Sequence, residues 1–408
     1  MNNKERSRFE LSLIALTGLY YTLENWANIM IPFAAFKVEP MPSIFLLLSI
    51  GPIAKLVALL GTVLIAESID VWGMQKTALV ITLFTGAFQI LAGLSTHLLS
   101  FLGVHMLCLF NNLPMVLDAA VLSLEGEHGD DKKRTRLVSK LLVPMSIGTA
   151  IGPYLALMFF LKVTPLSYIA LLIVGSVSIF VIAPLCYKSL PDTASPRSFQ
   201  VDLSLYKLLL TNTRTLWCLL FLMMICAPYM AYDSVVKTSI AGNLLEREHL
   251  LHILFSLLGV TTIFCNAYLL PYMQSKFGPQ TILMSAFAIL FCSYTFLALY
   301  HTAFALLFGM PCQLLGFNIA LGEVSSQLMG TIGKNHIGKG AALIRMCQLF
   351  SAVLTPVIAG GYLDSDNTTN LCIFNCCVSF LAIPVVYKFG GFMKFNTAYL
   401  PVGGDKFS

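Results

Sequence analysis

The sequence predicts an all-α membrane protein of twelve transmembrane helices arranged as two pseudo-symmetric six-helix bundles. Three observations carry that expectation. Of 408 residues, 57% are apolar and only 11% charged, where a soluble domain carries about 25% charged residues. The apolar residues collect into runs long enough to cross a bilayer. Two landmarks also recur half a chain apart.

A hydrocarbon core near 30 Å needs about 20 apolar residues of helix. On that rule the first six spans are Leu11–Phe33, Ser43–Ile69, Thr77–Leu94, Leu98–Leu122, Leu141–Leu161 and Leu166–Tyr187. The second six are Leu216–Ile240, Leu250–Tyr272, Thr281–Tyr300, Ala303–Met329, Ala341–Leu363 and Leu371–Val386. Lys4, Arg6 and Arg8 precede the first run, as in a signal peptide, but the run is too long and lacks a small-residue cleavage site, so it reads as a span. The expected units are 1–187 and 216–408, joined by a linker at 188–215 that contains Pro191 and Pro196. Within the linker, Asp202 is placed to cap a short helix carrying Leu203, Leu205, Leu208 and Leu209.

Orientation follows from lysine and arginine placement. With the N-terminus inside, 20 of the 25 basic residues fall on the inner side, a set that includes Lys76, Lys132–Arg136, Arg214, Lys339 and Arg345. Both termini are therefore expected in the cytoplasm, in the plasma membrane or an internal membrane. Asn367-Thr368-Thr369 is a glycosylation sequon on the expected outer side.

Several classes are excluded or disfavoured. No basic tract interleaved with aromatics points to nucleic acid. The eleven cysteines form no metal-like frame, and the run Glu125–Arg134 reads as a solvated loop rather than a metal site. No phosphate-cradling Gly-rich motif, nucleophile–base set or metal cluster is visible, so neither an enzyme nor a cofactor is expected.

The repeat is specific. Gly61 and Asp70-Val71-Trp72-Gly73-Met74-Gln75-Lys76 lie before the third span, and Ser275-Lys276-Phe277-Gly278 before the ninth, with Gly73 and Gly278 205 residues apart. Gly148-Thr149-Ala150-Ile151-Gly152-Pro153 in the fifth span is matched by Thr355-Pro356 in the eleventh, the prolines 203 apart. One shared offset from two landmarks points to duplicated halves.

The Gly…Asp-x-x-Gly-x-x-Lys pattern resembles the loop signature of the major facilitator superfamily. The Gly-x-x-x-Gly-Pro run is similar to the fifth-span motif of that superfamily's proton-coupled drug antiporters. Within it the chain looks most like the animal organic-cation-transporter-like solute carriers and the tetracycline exporters. The supporting stretches are Ile31-Pro32-Phe33, Asn111-Asn112-Leu113-Pro114, Val201-Asp202-Leu203 and 340–361. The resemblance implies a monomeric carrier of small organic solutes, organic cations foremost, by alternating access with proton antiport. It also implies that Asp70 and Lys76 latch one face. One departure stands out: Asn112 occupies the place where such antiporters carry an arginine, which favours a passive facilitator as the alternative. A non-transporting scaffold or receptor is a third reading.

Ionisable residues inside spans are costly and need a partner, water or a task. They are Glu24, Lys55, His105, Asp118, Asp233, His252 and Glu323. Spans one, four, seven and ten line the cavity in the resembled superfamily, and each carries an acid here. Glu24, Asp118, Asp233 and Glu323, with Asn112, are thus the expected substrate and proton site, and Tyr20, Tyr21, Trp26, Tyr229 and Tyr232 its aromatic walls. Lys55 is free to pair with an acid or snorkel, and the two histidines read better as packing residues. Gly148, Gly152, Pro153 and Pro356 suit helices that rock against the opposite half.

Overall fold

The computed structural model describes residues 3–35, 38–40, 44–124, 143–149, 151–152, 154–156, 167–193, 199, 204–243, 248–300, 302–329, 337–360 and 368–390. The described residues are overwhelmingly helical. In lipid a backbone must satisfy its own hydrogen bonds, and a helix does so within one segment.

The first half comprises α1 (Asn3–Ala35), α2 (Ile44–Trp72), α3 (Met74–Leu94), α4 (Leu98–Val104), α5 (Leu113–Leu124), helical pieces within 143–156, α6 (Ser167–Val177) and α7 (Ala183–Ser189). A short α8 (Ser204–Thr211) follows in the linker. The second half comprises α9 (Thr213–Asn243), α10 (Glu248–Phe264), α11 (Leu270–Lys276), α12 (Pro279–Leu299), α13 (Ala303–Met329), α14 (Ile337–Gly360) and α15 (Thr368–Phe389). Among the described residues, nine helices are long and apolar enough to cross a membrane. The long helices α1 and α14 take the places of the first and eleventh spans. Spans six and eight each pass through a single π turn, at Ser178–Ile182 and Cys265–Leu269.

The fourth span differs from its expected single helix. It runs as α4, a 3₁₀ turn at His105–Phe110, a break at Asn111–Asn112, then α5. Pro114 sits in the first turn of α5 and brings no N–H, a position that proline tolerates. The break is held by its neighbours. Asn111 Oδ1 accepts from the Tyr20 hydroxyl of α1 and the Thr85 hydroxyl of α3, each at 3.3 Å. Asn112 Nδ2 donates to the Ala58 carbonyl of α2 at 2.9 Å.

Two hydrophobic cores form, one chiefly within each half. Leu16, Ile65, Phe101 and Leu113 belong to the first, and Phe221, Phe287 and Tyr294 to the second. Helix α14 feeds both: Ala341, Ala342 and Leu343 pack into the first core, Ile344 and Cys347 into the second. Its N-terminal turn is small enough to lie against α2, where a Cβ on Gly338 would stand 2.6 Å from the Ala66 carbonyl oxygen.

The linker is fastened to the first half. The Met74 N–H donates to Thr193 Oγ1 at 3.3 Å, Trp72 stacks on Phe199 with ring centroids 5.6 Å apart, and Tyr206 is buried in the first core. Asp202 and Leu203 lie outside the described residues, as do Pro153, Asn367 and the run Glu125–Arg134. The side chains of Asp233, His252 and Pro356 likewise fall outside the description, although α9, α10 and α14 carry them.

Gly61 packs span two against the 3₁₀ turn, and a Cβ there would stand 1.8 Å from the Leu109 carbonyl oxygen. Gly51, on the same helix, faces nothing within 4 Å. Gly61→Ala should therefore destabilise by about 1–3 kcal/mol or more, while Gly51→Ala should cost nothing measurable. Thermal unfolding of the two variants in detergent checks this contrast.

Candidate functional site between the two halves

Among the described residues, the polar contacts that cross between the halves lie toward the linker side. Lys339 Nζ on α14 stands 3.4 Å from Glu67 Oε2 on α2, with both side chains largely buried. One turn further along α2, Asp70 Oδ1 accepts the Gly338 N–H at 3.1 Å. That places a carboxylate on the first turn of α14, where the helix dipole favours negative charge. Lys76 is exposed. Gly73 joins α2 to α3 with φ 84°, a left-handed conformation that favours glycine. Asn266 of the second half donates to Ser146 Oγ of the fifth span at 3.0 Å. Beneath these contacts, Tyr206 of α8 is buried near Asp70 and Glu67, and burial first, then the two carboxylates, raise its hydroxyl pKa.

A further crossing contact involves Arg345. Its Nε donates to Asn112 Oδ1 at 3.1 Å, and a terminal nitrogen donates to Gln348 Oε1 at 3.3 Å. Arg345 is eight residues into α14, about 12 Å along a helix rising 1.5 Å per residue. It belongs to the span interior, not to the inner loop where charge counting put it. The clue was in the sequence, since Arg345 lies inside the expected span Ala341–Leu363.

Around this guanidinium stand two of the expected acids. Glu24 on α1 is 8% exposed, and its charge reaches Tyr20, Tyr21 and Cys108. Asp118 on α5 is half-buried and lies within electrostatic reach of Arg345 and Tyr21. Lys55 also reaches Cys108, so cation and acid of spans two and one flank the same 3₁₀ turn. Tyr20 and Tyr21 meet edge to face at 5.4 Å. Glu24, Asn112, Asp118 and Arg345 thus form one inter-half cluster beside the break in span four.

Glu323 is placed elsewhere. Its Oε2 accepts from Gln274 Nε2 at 3.0 Å and its Oε1 from Gln327 Nε2 at 2.9 Å. Gln327 in turn accepts from an Arg214 terminal nitrogen at 3.1 Å. All four residues belong to the second half, and Glu323 is 3% exposed. Both carboxylate oxygens are engaged, as a structural buried acid requires. Asp118 and Glu323 stand 205 residues apart, the offset of Gly73 and Gly278, so they are equivalent positions put to different uses.

Gly148 and Gly152 also differ from expectation. Cβ atoms there would stand 2.7 Å from Gly18 O and from Thr22 O of α1, so this face of span five abuts its own half rather than the opposite one. His105 is a packing residue, its Nδ1 2.7 Å from the Phe101 carbonyl and its ring against Phe88 and Phe101. Tyr229 stacks on Phe317 at 3.9 Å, and Tyr232 meets Tyr294 at 5.8 Å. On the side away from the linker, a shallow surface groove of about 410 Å³ runs between Tyr154 of span five and Ile253, Ser256, Leu257 and Val260 of α10. Among the described residues no His, Cys, Asp and Glu group is placed to hold a metal.

No protein-family model matches the chain, and no curated protein matches it in sequence. Solved structures do share its fold. The human organic anion transporter MFSD10 (TETRAN) superposes with a TM-score of 0.68 at 13% identity, over 95% of this chain and 100% of that one. A bacterial homologue of the iron transporter ferroportin, in an outward-facing state, gives 0.74 at 14%, over 94% and 99%. The major facilitator superfamily transporter FucP, in the outward conformation, gives 0.69 at 12%, over 95% and 99%. With its apolar spans and this architecture, the chain is a multi-pass membrane protein of the major facilitator fold.

Proposed function

We propose that the chain carries a small organic solute across a membrane by alternating access, and that this structure is its state shut on the linker side. The observation that carries the reading is a set of inter-half ties toward the linker side. Among the described residues these are Glu67–Lys339, Asp70–Gly338, Asn112–Arg345 and Ser146–Asn266. Charge placement makes the linker side cytoplasmic, so the state is outward-facing, as in the ferroportin homologue and FucP structures.

The substrate class we favour is an organic cation, exchanged for protons at Glu24 and Asp118. Both acids adjoin the inter-half cluster beside a broken helix, the arrangement that places binding sites near the bilayer midplane in secondary transporters. Tyr20 and Tyr21 add aromatic faces worth about 0.5–2 kcal/mol each to a cation. Glu323, by contrast, serves the second half's own packing. An organic anion is the second reading, favoured by the Arg345 guanidinium in the same cluster and by the fold shared with the organic anion transporter MFSD10.

Proteoliposomes under an imposed pH gradient, offered cationic fluorophores and organic anions, test this. Gradient-driven cation flux, reduced at least tenfold by Glu24→Gln and by Asp118→Asn, is the expected result. Gradient-independent flux would make the chain a facilitator, anion flux would transfer the site to Arg345, and no flux would leave a scaffold.

The gate itself is testable separately. Lys339→Glu sets like charges against Glu67 in a largely buried position, where breaking an ion pair costs about 3–5 kcal/mol. Chemical labelling from the linker side should rise at least tenfold. The exchanged pair Glu67→Lys with Lys339→Glu should restore closure.

A further inference from the structure

In the organic-cation reading, Arg345 serves only as a tie to Asn112, and its charge has no part. Its hydrogen-bond partners among the described residues are neutral amides, Asn112 across the interface and Gln348 on its own helix. Its charge nevertheless reaches Asp118, Tyr20 and Tyr21, the groups assigned to the substrate. A charge at this depth is expensive unless it has a counter-charge or a function. The structural contact with Asn112 needs only a neutral donor, which a glutamine would supply at lower cost.

We propose that Arg345 is a tethered cation that competes with the transported cation for Asp118, and that its displacement releases one of the ties between the halves. The inference rests on the organic-cation reading above. The physical step is an exchange of like for like. In the closed-gate state the guanidinium on α14 partly neutralises the first half's acid from across the interface. A substrate cation arriving beside Asp118 and Glu24 supplies that neutralisation itself, and two cations sharing one carboxylate repel. Arg345 then leaves, the Nε–Asn112 hydrogen bond goes with it, and α14 is held to the first half only by the contacts nearer the linker. Substrate binding thereby favours the opposite state, because a ligand shifts an equilibrium only by interacting differently with the two states. A cation occupies the site and opens the gate with one charge displacement, and no additional ion is required for that step. Lys55, on the other side of span four near Cys108 and Glu24, is carried by the first half itself, so its field does not change when the halves part.

The test is equilibrium binding of a permanently charged probe, tetraphenylphosphonium, to the purified full chain in detergent. Arg345→Gln should bind the probe about three- to tenfold tighter than wild type, and Arg345→Lys, which keeps the charge, should stay within about twofold of wild type. The gain should vanish on an Asp118→Asn background, because the competition runs through that carboxylate. A second measurement needs no change at Arg345: fluorophores attached through noncanonical residues at the exposed positions Lys188 and Lys276, one in each half on the linker side, should move apart when the probe is added. If wild type binds the probe and Arg345→Gln binds it no tighter, with no movement of the labels, the competition is overturned and the organic-cation reading stands. If wild type binds no cation, while an organic anion binds and is lost in Arg345→Gln, both are overturned together.

Discussion

A polar group in hydrocarbon must be paired. At the break in the fourth span the backbone N–H groups of Asn111 and Asn112 bond locally to Cys108 and Phe110, which leaves two asparagine side chains to be satisfied by the neighbouring helices. Spans one and three reach Asn111 with hydroxyls, span two offers a carbonyl to Asn112, and span eleven supplies a guanidinium. Gly61 lets span two come close enough to back the 3₁₀ turn. Four helices thus converge on two adjacent asparagines. The fourth comes from the other half, so the internal satisfaction of one half depends on how the two halves sit together.

This dependence explains why the cluster is a plausible place for chemistry. Packing within one bundle holds the first three partners of the break in place, but the last comes from the other bundle and leaves when the two part. Glu323 shows the contrasting solution at the duplicated position: both its oxygens are bound by amides of its own half. Duplicated halves therefore need not share duties. One acid is left in an adjustable environment and its counterpart is locked.

The spans and their order were legible because hydropathy needs only composition averaged over twenty residues. The break in span four was not, since averaging removes a two-residue interruption, although Asn111-Asn112 followed by Pro114 was a visible helix-ending signal. Glu24 and Asp118 could be named from their cost in lipid and Asn112 from its place in the resembled motif, and the structure sets all three around Arg345. Glu323 was flagged by the same argument, but cost alone does not distinguish an acid facing a cavity from one held by neighbouring amides. Arg345 was overlooked because a topology count treats every arginine near a span end as a loop residue. The glycines of span five were expected to face the opposite half and meet α1 of their own half instead, because a sequence cannot say against which helix a small residue packs.

Thr193, Phe199 and Tyr206 bind the linker to the first half, and the structure continues from α8 into α9 with only Asn212 between the two helices. Asn212 Oδ1 accepts the Arg214 N–H at 3.0 Å, capping the start of α9. Any swing of one bundle about the other must then be taken up at that single residue rather than spread along the strap. The chain in effect has a knee, and its stiffness, set by one asparagine's grip on the next helix, tunes how readily the bundles can tilt apart.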